Sequence, residues 1–337
     1  MQNRRGIAQW WKRENLYIYC HLCPHQCKLK DGERGICNSR VNENGTLYTE
    51  AWNLWDAVNC DPVEKKPLFH FLPGSRTLSV ATNGCNLRCL NCQNHKTSQT
   101  TPGRPGHTYC EPKDTVNAAI KYECSSISYT YSDPVVYYEQ MLETAKEAKK
   151  SNLKNIMVSA GYINPAPLKE LIPWIDAVNI DLKSFSSKTY KQLCKVELKP
   201  VLKSLKEIKE SGTWLEITNL IIPEYTDDEQ TIKLMCKWLV KNSFAETPLH
   251  FNRFFPAHKL SHLPPTPVEK INKAIYIAKN EGIKYIYSGN MLTDIHENSY
   301  CHNCNHIIIE RSGYRVIDSF MKKNACSQCN TVIPGYF

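Results

Sequence analysis

The sequence predicts an α/β protein, a partial barrel of parallel strands and helices with a cysteine-rich module at each end. Three observations point there. From residue 76 onward, short apolar segments alternate with amphipathic helical ones; four cysteines crowd into residues 20–37; and two Cys-x2-Cys pairs, Cys301/Cys304 and Cys326/Cys329, close the chain. Strands covered by helices on both faces read as apolar runs. Right-handed crossovers gather the loops that follow such strands at one mouth. A chain of 337 residues exceeds one typical domain. The expected division is 1–66, 67–292 and 293–337.

The first segment opens on the strand-like Leu16-Tyr17-Ile18-Tyr19. It runs into Cys20, Cys23 and Cys27 and, after two glycine turns, Cys37. Four cysteines within eighteen residues, separated by turn residues, can converge on one metal site. Zinc and an iron–sulfur cluster both suit such a set, and His21 or His25 could replace a cysteine as ligand. Gly45 marks a hairpin turn, Trp52 and Trp55 read as packing residues, and Lys65 and Lys66 as solvated linker charge.

The barrel pattern follows. Strands are expected at 77–82, 126–131, 155–159, 176–181, 213–218, 248–253 and 284–288. Helices are expected near 112–123, 134–151, 165–173, 198–210, 226–242 and 267–281. Pro134 suits a helix first turn, and Val135, Tyr138, Met141, Leu142 and Ala145 then share one face. Thr226-Asp227-Asp228-Glu229 places acids at the positive end of a helix dipole.

Composition narrows the function classes. No run of eighteen apolar residues exists, so no membrane span is expected. Met1 to Trp11 lacks the apolar core of a signal peptide, and a cytoplasmic address follows. Sixteen cysteines grouped as close pairs in that setting argue for metal rather than disulfides. The formal charge of +9 rests on lysines that alternate with glutamate along helical faces; it permits an anionic partner without requiring one.

The stretch Gly84-Cys85-Asn86-Leu87-Arg88-Cys89-Leu90-Asn91-Cys92 follows the first barrel strand. Three thiolates at Cys-x3-Cys-x2-Cys spacing do not complete a four-cysteine site. On a [4Fe–4S] cube they leave one iron open to bind and activate a small molecule. A zinc site completed by His95 or a distant cysteine is the plainer alternative.

This spacing resembles the cluster loop of the radical S-adenosylmethionine (SAM) enzymes. With the segment Glu64 to Ser75 before it and Gln93-Asn94 after it, the chain looks like the AmmeMemoRadiSam-system radical SAM enzyme, a family related to pyruvate formate-lyase activating enzymes. The resemblance implies a partial (β/α)6-type radical SAM barrel in which Cys85, Cys89 and Cys92 hold the cube and SAM chelates the open iron. One electron, from a donor such as flavodoxin or ferredoxin, would cleave SAM to methionine and a 5′-deoxyadenosyl radical. It also implies Memo-like and AMMECR-type partner proteins and a substrate that is a protein, an RNA or a metabolite. Activation of a glycyl-radical enzyme is the alternative. A non-catalytic metal-site scaffold is the alternative of another class. The residue before the third cluster cysteine, usually aromatic in these enzymes, is Asn91 here, so adenine must meet a polar contact or another side chain.

Further candidates fall at strand ends. Asp133 stands where the family usually has the glutamate of Asn-Glu-Pro, and reads as either a SAM contact or a helix cap. Gly161 allows close backbone approach. Asp181 and Lys183 resemble the family's Asp-x-Lys and could touch SAM or substrate, or pair with each other. Glu216 and Asn219 could contact ribose hydroxyls. Arg253 suits a carboxylate or phosphate clamp, with a structural salt bridge as its rival. Cys194 is a candidate substrate-facing thiol and hydrogen-atom donor, against the commoner buried, inert cysteine.

Residues 293–337 form a separate piece. Cys301, Cys304, Cys326 and Cys329 bracket a twenty-one-residue hairpin, close to a zinc-ribbon-like pattern; four thiolates there would stabilise a segment too small for its own core. A rubredoxin-like iron site is the lesser alternative. Cys60, Cys110, Cys124 and Cys236 are spaced singly and read as small buried hydrophobes.

Overall fold

A computed structural model describes residues 5–103, 105–291 and 295–337. The chain divides into two compact units. One comprises Met1–Asp61, Arg76–Val178 and Lys199–Thr213, the other Pro62–Ser75, Asn179–Leu198 and Trp214–Phe337. The N-terminal cysteine segment thus shares a unit with the first βα repeats, and the C-terminal one with the last strands. The boundary expected at 292/293 lies outside the described residues.

In the first unit Ala57–Pro62, Arg76–Ala81, Ser126–Tyr129 and Lys154–Ser159 lie side by side in that order. The last three are parallel, with Ser128 opposite both Ser79 and Ile156. Leu78, Val80, Ile127, Tyr129 and Ile156 are fully buried, as continuous apolar strands require. The helix Tyr138–Lys150 buries Tyr138, Met141, Leu142 and Ala145, the expected face. Its start differs from expectation: Pro134–Tyr137 is a 3-10 turn, and the α-helix begins only at Tyr138. Asp133 caps that tight turn by accepting from the Val135 N–H at 3.1 Å.

The N-terminal segment folds as two antiparallel hairpins. Trp11–Glu14 pairs with Tyr17–Cys20, and Arg40–Glu43 with Thr46–Thr49. The second turns at Asn44-Gly45, with φ of 53° and 76°, the positive values a two-residue hairpin turn needs. Trp55 is buried and donates its indole N–H to Thr115 Oγ1 at 2.8 Å.

In the second unit Trp214–Ile221, Leu249–Arg253 and Ile286–Gly289 form a parallel run. Periodicity did not mark the helix Ser187–Cys194. Ser186 caps it, accepting from the Thr189 N–H, and Lys195 ends it with φ of 61°. Asp228 caps the helix Glu229–Lys241 from the expected acidic start. Phe69, Tyr285, Tyr287, Cys301, Ile308, Cys326 and Ile333 form one apolar cluster, so the C-terminal hairpin does not depend on a core of its own. Lys66, expected in solvent, is buried. No helix among the described residues is long and apolar enough to cross a membrane.

Candidate metal and cofactor sites

The loop after Arg76–Ala81 presents Cys85, Cys89 and Cys92, all partly buried. Its shape comes from local hydrogen bonding. Arg88 Nη1 donates to the Cys85 carbonyl at 2.6 Å, and Asn86 Nδ2 to the Tyr162 carbonyl at 2.8 Å. The Leu87 N–H points at Cys85 Sγ from 3.4 Å, and Ser98 Oγ lies 3.2 Å from Cys92 Sγ. Burial, and secondarily the Asp133 carboxylate, pushes the Cys85 thiol up; a metal that displaces its proton overcomes that resistance. The side-chain oxygens of Asn83, Asn86 and Asn91 are buried in the same loop without a hydrogen-bond partner. Buried acceptors left this way cost free energy. They suit a cofactor that brings donors, as the amino group and ribose hydroxyls of SAM do. The residues fit a three-thiolate cluster with such a ligand beside it.

Asp133 is committed to the protein. Its carboxylate accepts from Ser159 Oγ at 3.0 and 3.2 Å, from the Ala160 N–H at 2.9 Å and from the Val135 N–H. It braces the turns that follow two neighbouring strands, which is the cap role of the two expected for it. Gly161, with φ of 68°, donates its N–H to Ser159 Oγ and belongs to the same brace. Tyr131, which sequence reasoning did not single out, donates to Asp61 at 2.5 Å; burial and that carboxylate push its phenol up to about 12.

In the second unit Lys183 Nζ reaches Asp181 Oδ2 at 2.6 Å, with both side chains partly exposed. Asn219 Nδ2 donates to the Leu182 carbonyl, and its Oδ1 is buried and unpartnered. From the strand Trp214–Ile221, Asn219 thus ties to the turn that carries Asp181 and Lys183. Arg253 donates its Nε to the Thr266 carbonyl at 2.7 Å and lies over the Phe255 ring.

Two expectations fail here. Cys194 is fully buried at the end of its helix, so no substrate reaches its sulfur. Glu216 is fully buried and accepts from the N–H groups of Phe69 and His70, from Trp214 Nε1 and from His250 Nε2. Burial would raise its carboxyl, but the His250 hydrogen bond and charge outweigh that and hold it low. It anchors the Phe69-His70 segment and has no face for a ribose. His70 joins the network, with Nδ1 on the Pro334 carbonyl and Nε2 on the Tyr287 hydroxyl; burial pushes it down to about 4. A fully buried His–Glu–Tyr set leaves no trace in local sequence, because its members lie on separate strands.

The four C-terminal cysteines converge. Cys301 Sγ lies 3.6 Å from Cys329 Sγ, and Cys304 Sγ 3.7 Å from Cys326 Sγ. Among the described residues theirs is the one group whose donor atoms all fall within 4.8 Å of one another. A zinc ion with Zn–S bonds of about 2.3 Å sets tetrahedral S···S edges of roughly 3.8 Å. The Thr331 hydroxyl beside Cys329 holds that thiol low.

Cys20, Cys23, Cys27 and Cys37 line a hollow with Leu22, Leu29, Val135 and Val136. His25 Nε2 is taken by the Asn86 carbonyl at 2.7 Å, whereas His21 Nε2 is buried without a hydrogen-bond partner. The single cysteines depart from expectation. Cys124 and Cys236 are buried, but Cys60 is exposed and its sulfur lies 3.1 Å from that of Cys124. Both flank the edge of the first unit's strands, where spacing alone could not pair them.

Residues 79–235 match the model of the radical SAM superfamily. An uncharacterised protein of Methanocaldococcus jannaschii is 42% identical over 324 residues, 96% of each chain. The 4-hydroxyphenylacetate decarboxylase activating enzyme of Clostridium scatologenes is 25% identical over 71% of this chain and 70% of its own. Among solved structures, Streptococcus suis SuiB bound to S-adenosylmethionine superposes with a TM-score of 0.51 at 14% identity, over 71% of this chain and 56% of that one. That last likeness concerns the fold alone.

Proposed function

The chain belongs to the radical SAM superfamily, and from that premise we propose that Cys85, Cys89 and Cys92 hold a [4Fe–4S] cluster whose open iron takes SAM. Membership makes the protein an enzyme, related to the activating enzymes of glycyl-radical systems, and sets the non-catalytic scaffold reading aside. The observation that carries the proposal is the three-thiol loop itself, partly buried and ringed by the unpaired oxygens of Asn83, Asn86 and Asn91. Bound there, cluster and SAM would supply one-electron reductive cleavage chemistry, with the electron drawn from an external low-potential donor.

The chain's own residues do the rest. Arg88 and Asn86 fix the loop by holding backbone carbonyls. Asp133 braces the adjoining turns around Ser159 and Ala160. The Asp181–Lys183 pair and Asn219 offer a second polar patch at a strand end, suited to SAM or substrate. Arg253, partly exposed, suits an anionic substrate group. These placements go with a partial (β/α)6-type barrel. The C-terminal sulfurs, at tetrahedral spacing, suit one zinc ion in a ribbon-like knuckle pair.

The reading extends to an AmmeMemoRadiSam-type system, with Memo-like and AMMECR-type partners and a ferredoxin- or flavodoxin-class donor. Its support is the resemblance around Glu64–Ser75 and a pair of extra cysteine modules beyond what a minimal activase needs. Activation of a glycyl-radical enzyme is the second reading, favoured by the similarity to the decarboxylase activating enzyme. Anaerobically reconstituted protein, reduced with dithionite, should convert SAM to 5′-deoxyadenosine and methionine and show a SAM-shifted electron paramagnetic resonance signal. Absence of both from a cluster-loaded sample rejects the proposal. A pull-down under the same conditions separates the two readings by whether Memo-like proteins or a glycyl-radical enzyme is recovered.

A further inference from the structure

The two cysteine quartets have the same ligand type and number but different geometry. At the C-terminus the sulfurs touch, with two cross-pairs at 3.6 and 3.7 Å. At the N-terminus the four sulfurs do not close to within 4.8 Å of one another, although all four residues lie among those described. They line a shared hollow instead, together with apolar side chains. The set is nevertheless convergent: a Cβ built on Gly35 would stand 3.6 Å from Cys37 Sγ and 3.8 Å from Cys27 Sγ. One zinc ion needs sulfurs roughly 3.8 Å apart. A cube spreads four thiolates over its corners and fills the space between them.

We propose that Cys20, Cys23, Cys27 and Cys37 hold a second [4Fe–4S] cluster, closed by four protein thiolates, in place of a single zinc ion. The surroundings suit it. Leu22, Leu29, Val135 and Val136 give the hollow an apolar lining. Arg40, fully buried, points Nη1 at Cys20 Sγ from 3.5 Å, while its Nη2 is paired with the buried Glu139. A donor on a ligating sulfur is the usual outer-shell support of such a cluster.

The neighbouring loop is close. A Cβ on Gly84 would stand 2.5 Å from the Cys37 carbonyl oxygen, Arg88 Nη2 donates to the Ile36 carbonyl, and Asn86 lines the hollow while its carbonyl meets His25. The second cluster therefore sits directly against the loop of Cys85, Cys89 and Cys92, within the first unit.

Metal counting and spectroscopy on the full chain, purified anaerobically and reconstituted with iron and sulfide, test the assignment. Wild-type protein should carry about eight iron atoms and about one zinc. Four iron atoms with two zinc ions would overturn it, and that count needs no variant to fold. The variant Cys85→Ala/Cys89→Ala/Cys92→Ala should keep about four iron atoms and, once reduced with dithionite, a resonance signal that SAM does not shift. The variant Cys23→Ala/Cys27→Ala should lose about four iron atoms while keeping its zinc and the SAM-shifted signal; loss of zinc instead of iron would refute the proposal. Because SAM sensitivity marks the other loop alone, failure of the catalytic reading and failure of this one appear in different signals.

Discussion

The C-terminal and N-terminal quartets differ in how closely two scaffolds bring the same four thiols together. Cys301, Cys304, Cys326 and Cys329 ride on two Cys-x2-Cys turns at the ends of a hairpin, and the packing of Cys301 and Cys326 against Phe69, Tyr285 and Ile308 draws the sulfurs together. Cys20, Cys23, Cys27 and Cys37 ride on an eighteen-residue segment that includes the end of the strand Tyr17–Cys20 and the strand Lys28–Leu29, and their sulfurs line a hollow with apolar side chains. The Cys85 loop differs from both in supplying only three thiols and in leaving buried amide oxygens unpaired.

The sharpest break of this contrast is Cys89→Ala. It should abolish 5′-deoxyadenosine production to below detection while leaving zinc content unchanged. A variant that still cleaved SAM would remove the three-thiol loop from the chemistry. Next in size, Cys326→Ser should expel the C-terminal metal and destabilise the second unit by about 4 kcal/mol, since a lost structural metal is among the largest single-site effects. Urea unfolding followed by tryptophan fluorescence reads this, and an unmoved midpoint would mean the hairpin stands without its ion.

Acid should find the second unit through His70. Its folded value of about 4 lies below the usual imidazole range, so the unfolded chain binds more protons between about pH 6.5 and 4. Stability is therefore full above pH 7 and falls by on the order of 3 kcal/mol as pH drops through that window. Glu216, held low, adds loss in the same direction as pH falls further. Melts from pH 7 to 4 should show the slope, and His70→Asn, which keeps a donor for the Pro334 carbonyl, should flatten it. An equal slope in that variant would place the acid lability elsewhere. The smallest effect belongs to Asp133→Asn, which turns one acceptor of the brace into a donor at a cost of about 1–2 kcal/mol; cluster assembly should survive, while an unchanged melting temperature would show the brace to be dispensable.

Much of the fold was legible because its signals are local. The strands around residues 77–82, 126–131 and 248–253 are apolar runs, and the helix containing Tyr138, Met141 and Ala145 shows its stripe directly. The convergence of Cys301, Cys304, Cys326 and Cys329 was legible for the same reason: thiol spacing is a short-range pattern. What stayed hidden depends on distance along the chain. Glu216 looks like an ordinary polar strand residue, and only folding brings His70 and His250 to it. Lys66 looks solvated because its burial is set by segments far away in sequence. The helix Ser187–Cys194 was missed because its apolar positions Tyr190, Leu193 and Cys194 are too few to show a period.

Gly84 deserves a last thought in engineering terms. With φ of 103° and the Cys37 carbonyl pressed where a methyl would go, this position admits nothing larger than hydrogen. Any attempt to transplant the first sixty residues onto another catalytic body, or to swap in a foreign N-terminal piece, must carry this glycine along as part of the joint. Alanine there would act as a wedge, and the two cysteine loops would be pried apart with every thiol still in place.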